Sequence, residues 1–193
     1  RLLSYELKHN TKNVLVYSNR NVKKKIGINS EKKKEFIMPG IGRQNPEPKG
    51  PIVADYLLKV KSNNDKYCWG EIGRCTMLAR LELIKELDGF DENFSRCAEI
   101  DLAVRASMKG THFISVNESL ITYYVTTGSH KTLKKDLKAR IQLVKKNRKY
   151  LIKKSLYCAS LLNFYAWYWH QKRVRLFGWI FRALSHLFKL KFL

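Results

Sequence analysis

The sequence predicts a mixed α/β domain followed by a basic, amphipathic helical tail. Over residues 1 to 130, short β-branched and aromatic runs alternate with stretches of helical periodicity, and glycine and proline punctuate the joins. From residue 131 the charge balance changes abruptly. With 193 residues, 45% of them apolar, the chain is long enough for one substantial core and an appended module.

The first residues, Arg1-Leu2-Leu3-Ser4-Tyr5-Glu6-Leu7, read as the middle of a helix with no polar lead-in, so a longer parent chain is expected. Residues 13 to 18 (Asn-Val-Leu-Val-Tyr-Ser) predict a buried strand. Residues 19 to 51 are Lys-rich and carry Pro39-Gly40, Pro46-Glu47-Pro48 and Lys49-Gly50-Pro51, which predicts a long functional loop. Residues 52 to 60 resume as a helix. Met77, Leu81, Ile84 and Leu87 fall at steps of three and four, the mark of one helical face, with Gly89 as the stop. A further helix is expected over residues 98 to 109, with Ile100, Ala103, Val104 and Ser107 on one side and Gly110 as its cap. Residues 112 to 116 and 120 to 125 predict two strands.

The tail holds 17 Lys and Arg against one acid, Asp136, whereas residues 1 to 130 hold 21 basic and 15 acidic groups. Leu133, Leu137, Ile141, Val144 and Leu151 share a helical stripe while Lys134, Lys135, Lys138, Lys145, Lys146 and Lys149 crowd the other faces. Residues 155 to 171 are uncharged and include Tyr157, Phe164, Tyr165, Trp167, Tyr168 and Trp169. That run is shorter than the ~20 apolar residues a spanning helix needs, and its aromatic rings suit the headgroup boundary. An in-plane membrane helix is expected there, and residues 177 to 193, with Trp179, Phe181 and Phe188, repeat the theme. The expected partner is an anionic membrane surface, and the expected place is peripheral, on the cytoplasmic face of the plasma membrane.

A net charge of +22 would also suit a nucleic-acid-binding module. The charge is confined to a tail that alternates with apolar stripes, and residues 1 to 130 hold no nucleic-acid motif, so nucleic acid is the less favoured partner. Cys68, Cys75, Cys97 and Cys158 show neither C-x-x-C spacing nor nearby paired histidines, which speaks against a zinc site or a disulfide framework.

Chemistry concentrates in Gly89-Phe90-Asp91-Glu92-Asn93-Phe94 and in Ala98-Glu99-Ile100-Asp101-Leu102-Ala103-Val104-Arg105. Asp101 and Arg105 stand at i, i+4 and can pair along the helix. Glu99 has no such obvious partner. A carboxylate in a helix's first turn is kept ionised by the dipole and the free backbone N–H groups, the state a general base requires. Spacing alone favours an ordinary helix-start acid for Glu99.

Gly-Gly-Phe-Asp-Glu before Glu-Asp-x-Asp-Leu-x-x-Arg is the C-terminal signature of the family 2 glycosyltransferases, which have the GT-A fold. This chain resembles it through Asp88-Gly89-Phe90-Asp91-Glu92 and the block from Ala98 to Arg105, over roughly residues 50 to 130. Pro48-Lys49-Gly50-Pro51 with Ala54-Asp55-Tyr56-Leu57 is similar to capsule and lipopolysaccharide sugar transferases. The alignment puts Glu99 where the family has its catalytic Asp, and Ala98 where it has Glu. The resemblance implies an inverting transfer from a nucleotide-diphosphate sugar to a glycan or lipid-linked acceptor, with Glu99 and Asp101 as catalytic carboxylates. It also implies a divalent metal, Mg or Mn, held by an Asp-x-Asp motif. No Asp-x-Asp occurs in this chain, so that motif and the nucleotide-binding strands are expected before residue 1. The chain is accordingly read as the acceptor-side half of a GT-A domain over residues 1 to 130, with a membrane-associating tail over residues 131 to 193. Substrate contacts are expected from Trp69 and Gly70, as a platform for a sugar ring; from Arg74 and Arg105; and from His130, in a loop near the diphosphate. A non-catalytic remnant of such an enzyme is the other reading.

Overall fold

An apolar run at 14 to 17, Val-Leu-Val-Tyr, buries both of its faces and so forms a central strand. This strand, β1 (Val14–Lys25), pairs antiparallel with β2 (Lys33–Met38) and β3 (Met77–Ala79) and parallel with β4 (His112–Tyr124). Leu15 lies opposite Ala79 on one side and Phe113 on the other. The computed structural model describes residues 12–25, 33–60, 70–125 and 132–190, and the chain divides into two units. The sheet belongs to the first, made of the described residues of Arg1–Ala54, Asn63–Asp91 and Glu99–Thr127. Around the sheet the chain forms α1 (Pro51–Leu57), a 3-10 turn at Arg74–Thr76, α2 (Leu81–Glu86) and α3 (Ala98–Met108). Pro51 opens α1, where its missing N–H costs nothing. Leu102, Ala103, Val104 and Ala106 of α3 are fully buried. The architecture is mixed α/β, as the alternation of runs predicts.

Three expectations are corrected. Residues 19 to 51 are not one loop: β1 runs on to Lys25 and pairs with β2, Arg20 opposite Met38 through Lys25 opposite Lys33. Val22 points into the core while Lys23 reaches Glu35 at 3.0 Å, so a Lys-rich arm can be strand with its charges at the surface. Met77 belongs to β3, not to a helix; it pairs with Tyr17, and the helix begins only at Leu81, after Arg80 in an extended conformation. The two strands after residue 110 are one, β4. Val116 pairs with Ser18, Ser119 with Asn19 and Ile121 with Arg20, so bulges absorb the polar residues that read as a turn.

The second unit comprises the described residues of Asp55–Ser62, Glu92–Ala98 and Gly128–Leu193. It contains α4 (Leu133–Lys146), α5 (Arg148–Lys153), α6 (Tyr157–Gln171) and α7 (Arg175–Leu190). Thr132 caps α4 by accepting from the Lys135 amide at 3.3 Å. Val144 and Leu151 of the expected stripe are buried, together with Ala139 and Leu143. The helices are tied to the two earlier segments. Arg96 pairs with Asp136, Gln142 donates to the Asn93 carbonyl at 3.2 Å, and Ser160 and Asn163 donate to the carbonyls of Leu58 and Lys59 at 2.6 and 2.7 Å. The uncharged character of α6 therefore has a packing cause: Ala159, Ser160, Phe164 and Ala166 are buried inside the unit. Among the described residues, no helix is long and apolar enough to cross a membrane.

Asp55 anchors this unit. Its buried carboxylate accepts from the Tyr150 hydroxyl at 2.7 Å and from Lys154 Nζ at 2.7 and 3.0 Å. Burial, and next the bond to Asp55, push the Tyr150 phenol up to about 12. Burial lowers the Lys154 ammonium, but its bonds to Asp55 and Tyr150 outweigh that and raise it. An unfolded chain releases the phenolic proton near 10. Between about pH 10 and about pH 12 the folded state thus binds more protons than the unfolded one. The stabilisation is fully present below pH 10 and is lost as pH rises through that window. Urea midpoints measured across it are expected to fall, and Tyr150→Phe is expected to flatten the fall.

Candidate active site

A single guanidinium fixes the start of α3. Arg105 Nε donates to Asp101 Oδ2 at 2.8 Å, Nη2 donates to the Gly89 carbonyl at 2.7 Å, and Nη1 bonds the Leu87 carbonyl. Asp88 and Gly89 both take left-handed backbone, with φ of 58° and 66°, and the Gly89 amide returns to the Ile84 carbonyl at 2.9 Å to close α2. Arg105 therefore staples the end of α2 to α3. The i, i+4 pair visible in the sequence would contribute about 0.2–0.5 kcal/mol if exposed. Asp101, however, is 0% exposed, which puts the pair among those whose disruption costs several kcal/mol. Asp101 and Arg105 engage each other, and Arg105 also engages the turn.

Glu99 is half-buried and lies in the first turn of α3, two residues before Asp101. Its charge reaches Tyr17. Burial, and after it the negative charge of Glu99, raise the Tyr17 phenol well above its ordinary range. The Tyr17 side chain is fully buried in β1, its ring stacks on Phe113 at 6.4 Å between centroids, and its hydroxyl has no hydrogen-bond partner. A half-buried carboxylate thus raises the phenol of a residue on the central strand whose hydroxyl has no hydrogen-bond partner. The sequence offers a weak signal for Tyr17, a hydroxyl-bearing ring inside an otherwise aliphatic run, and none for its electrostatic coupling to Glu99.

On the other side of Tyr17 the backbone is crowded. A Cβ at Gly40 would come within 3.1 Å of Tyr17 Cβ and 2.8 Å of the Ser18 carbonyl oxygen. The Gly40 amide donates to Asn19 Oδ1 at 3.1 Å, and Asn19 Nδ2 donates to Asn117 Oδ1 at 3.3 Å. Gly70 packs against this segment. The neighbouring Glu71 amide donates to the Pro39 carbonyl at 2.9 Å, and the Glu71 carboxylate accepts from Arg20 at 2.7 Å. Asn19, Arg20, Glu71 and Asn117 escaped the sequence reading because their pairing depends on strands far apart in the chain. Gly70 has φ of 134°, and a Cβ there would overlap the Gly40 carbonyl. Gly70→Ala is expected to destabilise the protein by about 2–4 kcal/mol, through left-handed strain together with overpacking, as read by urea denaturation. The role this geometry supports for Gly70 is close backbone approach.

Arg74 begins the 3-10 turn. Trp69 and His130, like the helix expected before Asn13, lie outside the described residues. Among the described residues, no group of three or more His, Cys, Asp and Glu could hold a metal ion. The expected divalent ion therefore finds no ligand set in them. A surface pocket of about 540 Å³ opens around Lys12, Arg80, Glu86 and Lys109, and its lining does not include Glu99. Comparison of the chain with models of protein families, with curated proteins and with solved structures finds no match.

Proposed function

We propose that this chain carries the acceptor-side part of a sugar-transfer site of the GT-A type, with Glu99 as its general base. The acceptor hydroxyl oxygen bonds to the anomeric carbon of a nucleotide-diphosphate sugar as the bond from that carbon to the diphosphate breaks. The hydroxyl proton passes to a Glu99 carboxylate oxygen, and the nucleoside diphosphate leaves with inversion at the sugar carbon. A divalent metal, supplied by ligands outside the described residues, would neutralise the charge growing on the leaving diphosphate. The observation that supports this reading best is the division of labour in the first turns of α3. Asp101 is buried in its pair with Arg105, and the neighbouring Glu99 remains half-exposed on a helix start that the staple holds still. The similarity of the turn and of Asp-Leu-x-x-Arg to family 2 glycosyltransferases supplies the reaction class. The acceptor is proposed to be a growing cell-surface glycan or a lipid-linked one, as in capsule or lipopolysaccharide assembly. The test is transfer of labelled sugar from nucleotide sugars to such acceptors, by the protein as its gene encodes it, with and without Glu99→Gln.

A further inference from the structure

We propose that α7 is an in-plane docking helix that seats on an anionic lipid bilayer. An ordinary surface helix turns its apolar stripe toward the core, whereas α7 turns a broad one away. Its packed side is defined by contacts with α6, among them Phe177 against Trp169 at 5.1 Å between ring centroids. Gly178 lies so close to α6 that a Cβ there would come within 2.8 Å of the His170 ring. Phe181 stacks on Tyr165 at 5.5 Å, and the Ser185 hydroxyl donates to the Ala159 carbonyl at 3.1 Å. At 100° per residue, Leu176, Trp179, Ile180 and Leu187 fall on the opposite side of the helix. Leu176 and Trp179 are each 70% exposed and Leu187 61%. This makes a continuous apolar surface on one element, not a scatter of single exposed residues.

Charge selects the occupant. Arg175, Arg182 and Lys189 share one edge of the helix, Lys172 and Arg173 precede it, and no acid follows Asp136. A second copy docked through this face would bring two strongly cationic surfaces together. A bilayer of anionic lipids accepts both features at once: the apolar face enters the acyl boundary, and the edge cations meet the headgroups. Trp179 suits that depth, since an indole presents an apolar body with one polar N–H. A nucleic acid would be met by the cationic edge and would leave the apolar face in water. Of the two helices expected at the membrane, α6 buries Ala159, Ser160, Phe164 and Ala166 within its unit, and α7 presents the broader exposed apolar face. This inference stands independently of sugar transfer, because its readout needs no turnover.

The experiment is flotation of the full chain with phosphatidylcholine vesicles, with and without phosphatidylglycerol, across a salt series. Binding to the mixed vesicles, weakened by salt, is expected. Trp179→Ser with Leu187→Ser should lower vesicle affinity by roughly tenfold or more, since each side chain contributes apolar burial at the interface. Helical circular dichroism should be unchanged. Phe36→Ser, which removes an exposed ring from β2, should leave vesicle affinity as it was. Failure of the unsubstituted chain to bind mixed vesicles would overturn the proposal, as would equal binding by the double variant. A dimer that the double variant converts to monomer without lipid would assign the face to a second copy instead.

Discussion

Replacement of Glu99 by Gln in the protein as its gene encodes it is expected to slow sugar transfer by about 10²–10⁴-fold, the usual contribution of a positioned general base. The amide keeps the size and helix position of the carboxylate but cannot take the acceptor's proton. Nucleotide-sugar affinity should not move, because the reading gives Glu99 no contact with the donor before the hydroxyl attacks; calorimetric titration of the variant with donor checks this. Folding should hardly change either, since the staple at Asp101 and Arg105 is made without Glu99. Glu99→Asp is informative in the other direction. The family that this helix resembles carries Asp there, so partial retention of turnover is expected when the carboxylate is shortened by one methylene. Undiminished transfer by Glu99→Gln would remove the assignment.

Arg105→Met is expected to destabilise the protein by about 3–5 kcal/mol, because it leaves the Asp101 carboxylate buried without its cation. The loss also strips hydrogen bonds from the carbonyls of Leu87 and Gly89, where α2 turns toward α3. Denaturant midpoints at constant slope would measure it. Asp101→Leu combined with Arg105→Met should recover part of the loss, since removing both members of a buried pair is far less costly than removing one. If the double variant is no better than Arg105→Met, the guanidinium serves the two carbonyls rather than the carboxylate. Sugar transfer should fall in both variants, because Glu99 depends on this turn for its position.

The parts of this site that were legible in the sequence are those built from neighbours. Gly89 stops α2 and Asp101 meets Arg105 within four residues, and the strand at 14 to 17 announces itself by an unbroken apolar run. What was not legible depends on pairing across long stretches of chain. Met77 sits on a helical period with Leu81, yet the open edge of β1 at Tyr17 draws it into a strand. Lys23 looks like loop until Glu35 and a facing strand are known. The bulged join at Asn117 reads as a turn, although β1 carries β4 straight through it. Tyr17 and Glu99 are far apart in the chain, and only burial and charge in the folded state couple them. In the tail, low charge over residues 155 to 171 had two physical explanations, lipid and protein. The burial of Ser160 and Phe164 within the second unit gives the latter for one face of α6.

The central place of β1 also governs the order in which the polypeptide can mature on the ribosome. Val14 finds its parallel partner in His112, and Leu15 its antiparallel partner in Ala79. At about 5–20 residues per second, translation of the intervening hundred or so residues takes roughly 5–20 s. Throughout that interval the buried apolar run at 14 to 17 waits with an open edge. Lys23, Lys24 and Lys25 close the same strand, and charges so placed discourage edge-to-edge pairing between nascent chains. The lysine run that looked like a plain connection is thus well placed to protect the strand until β4 emerges.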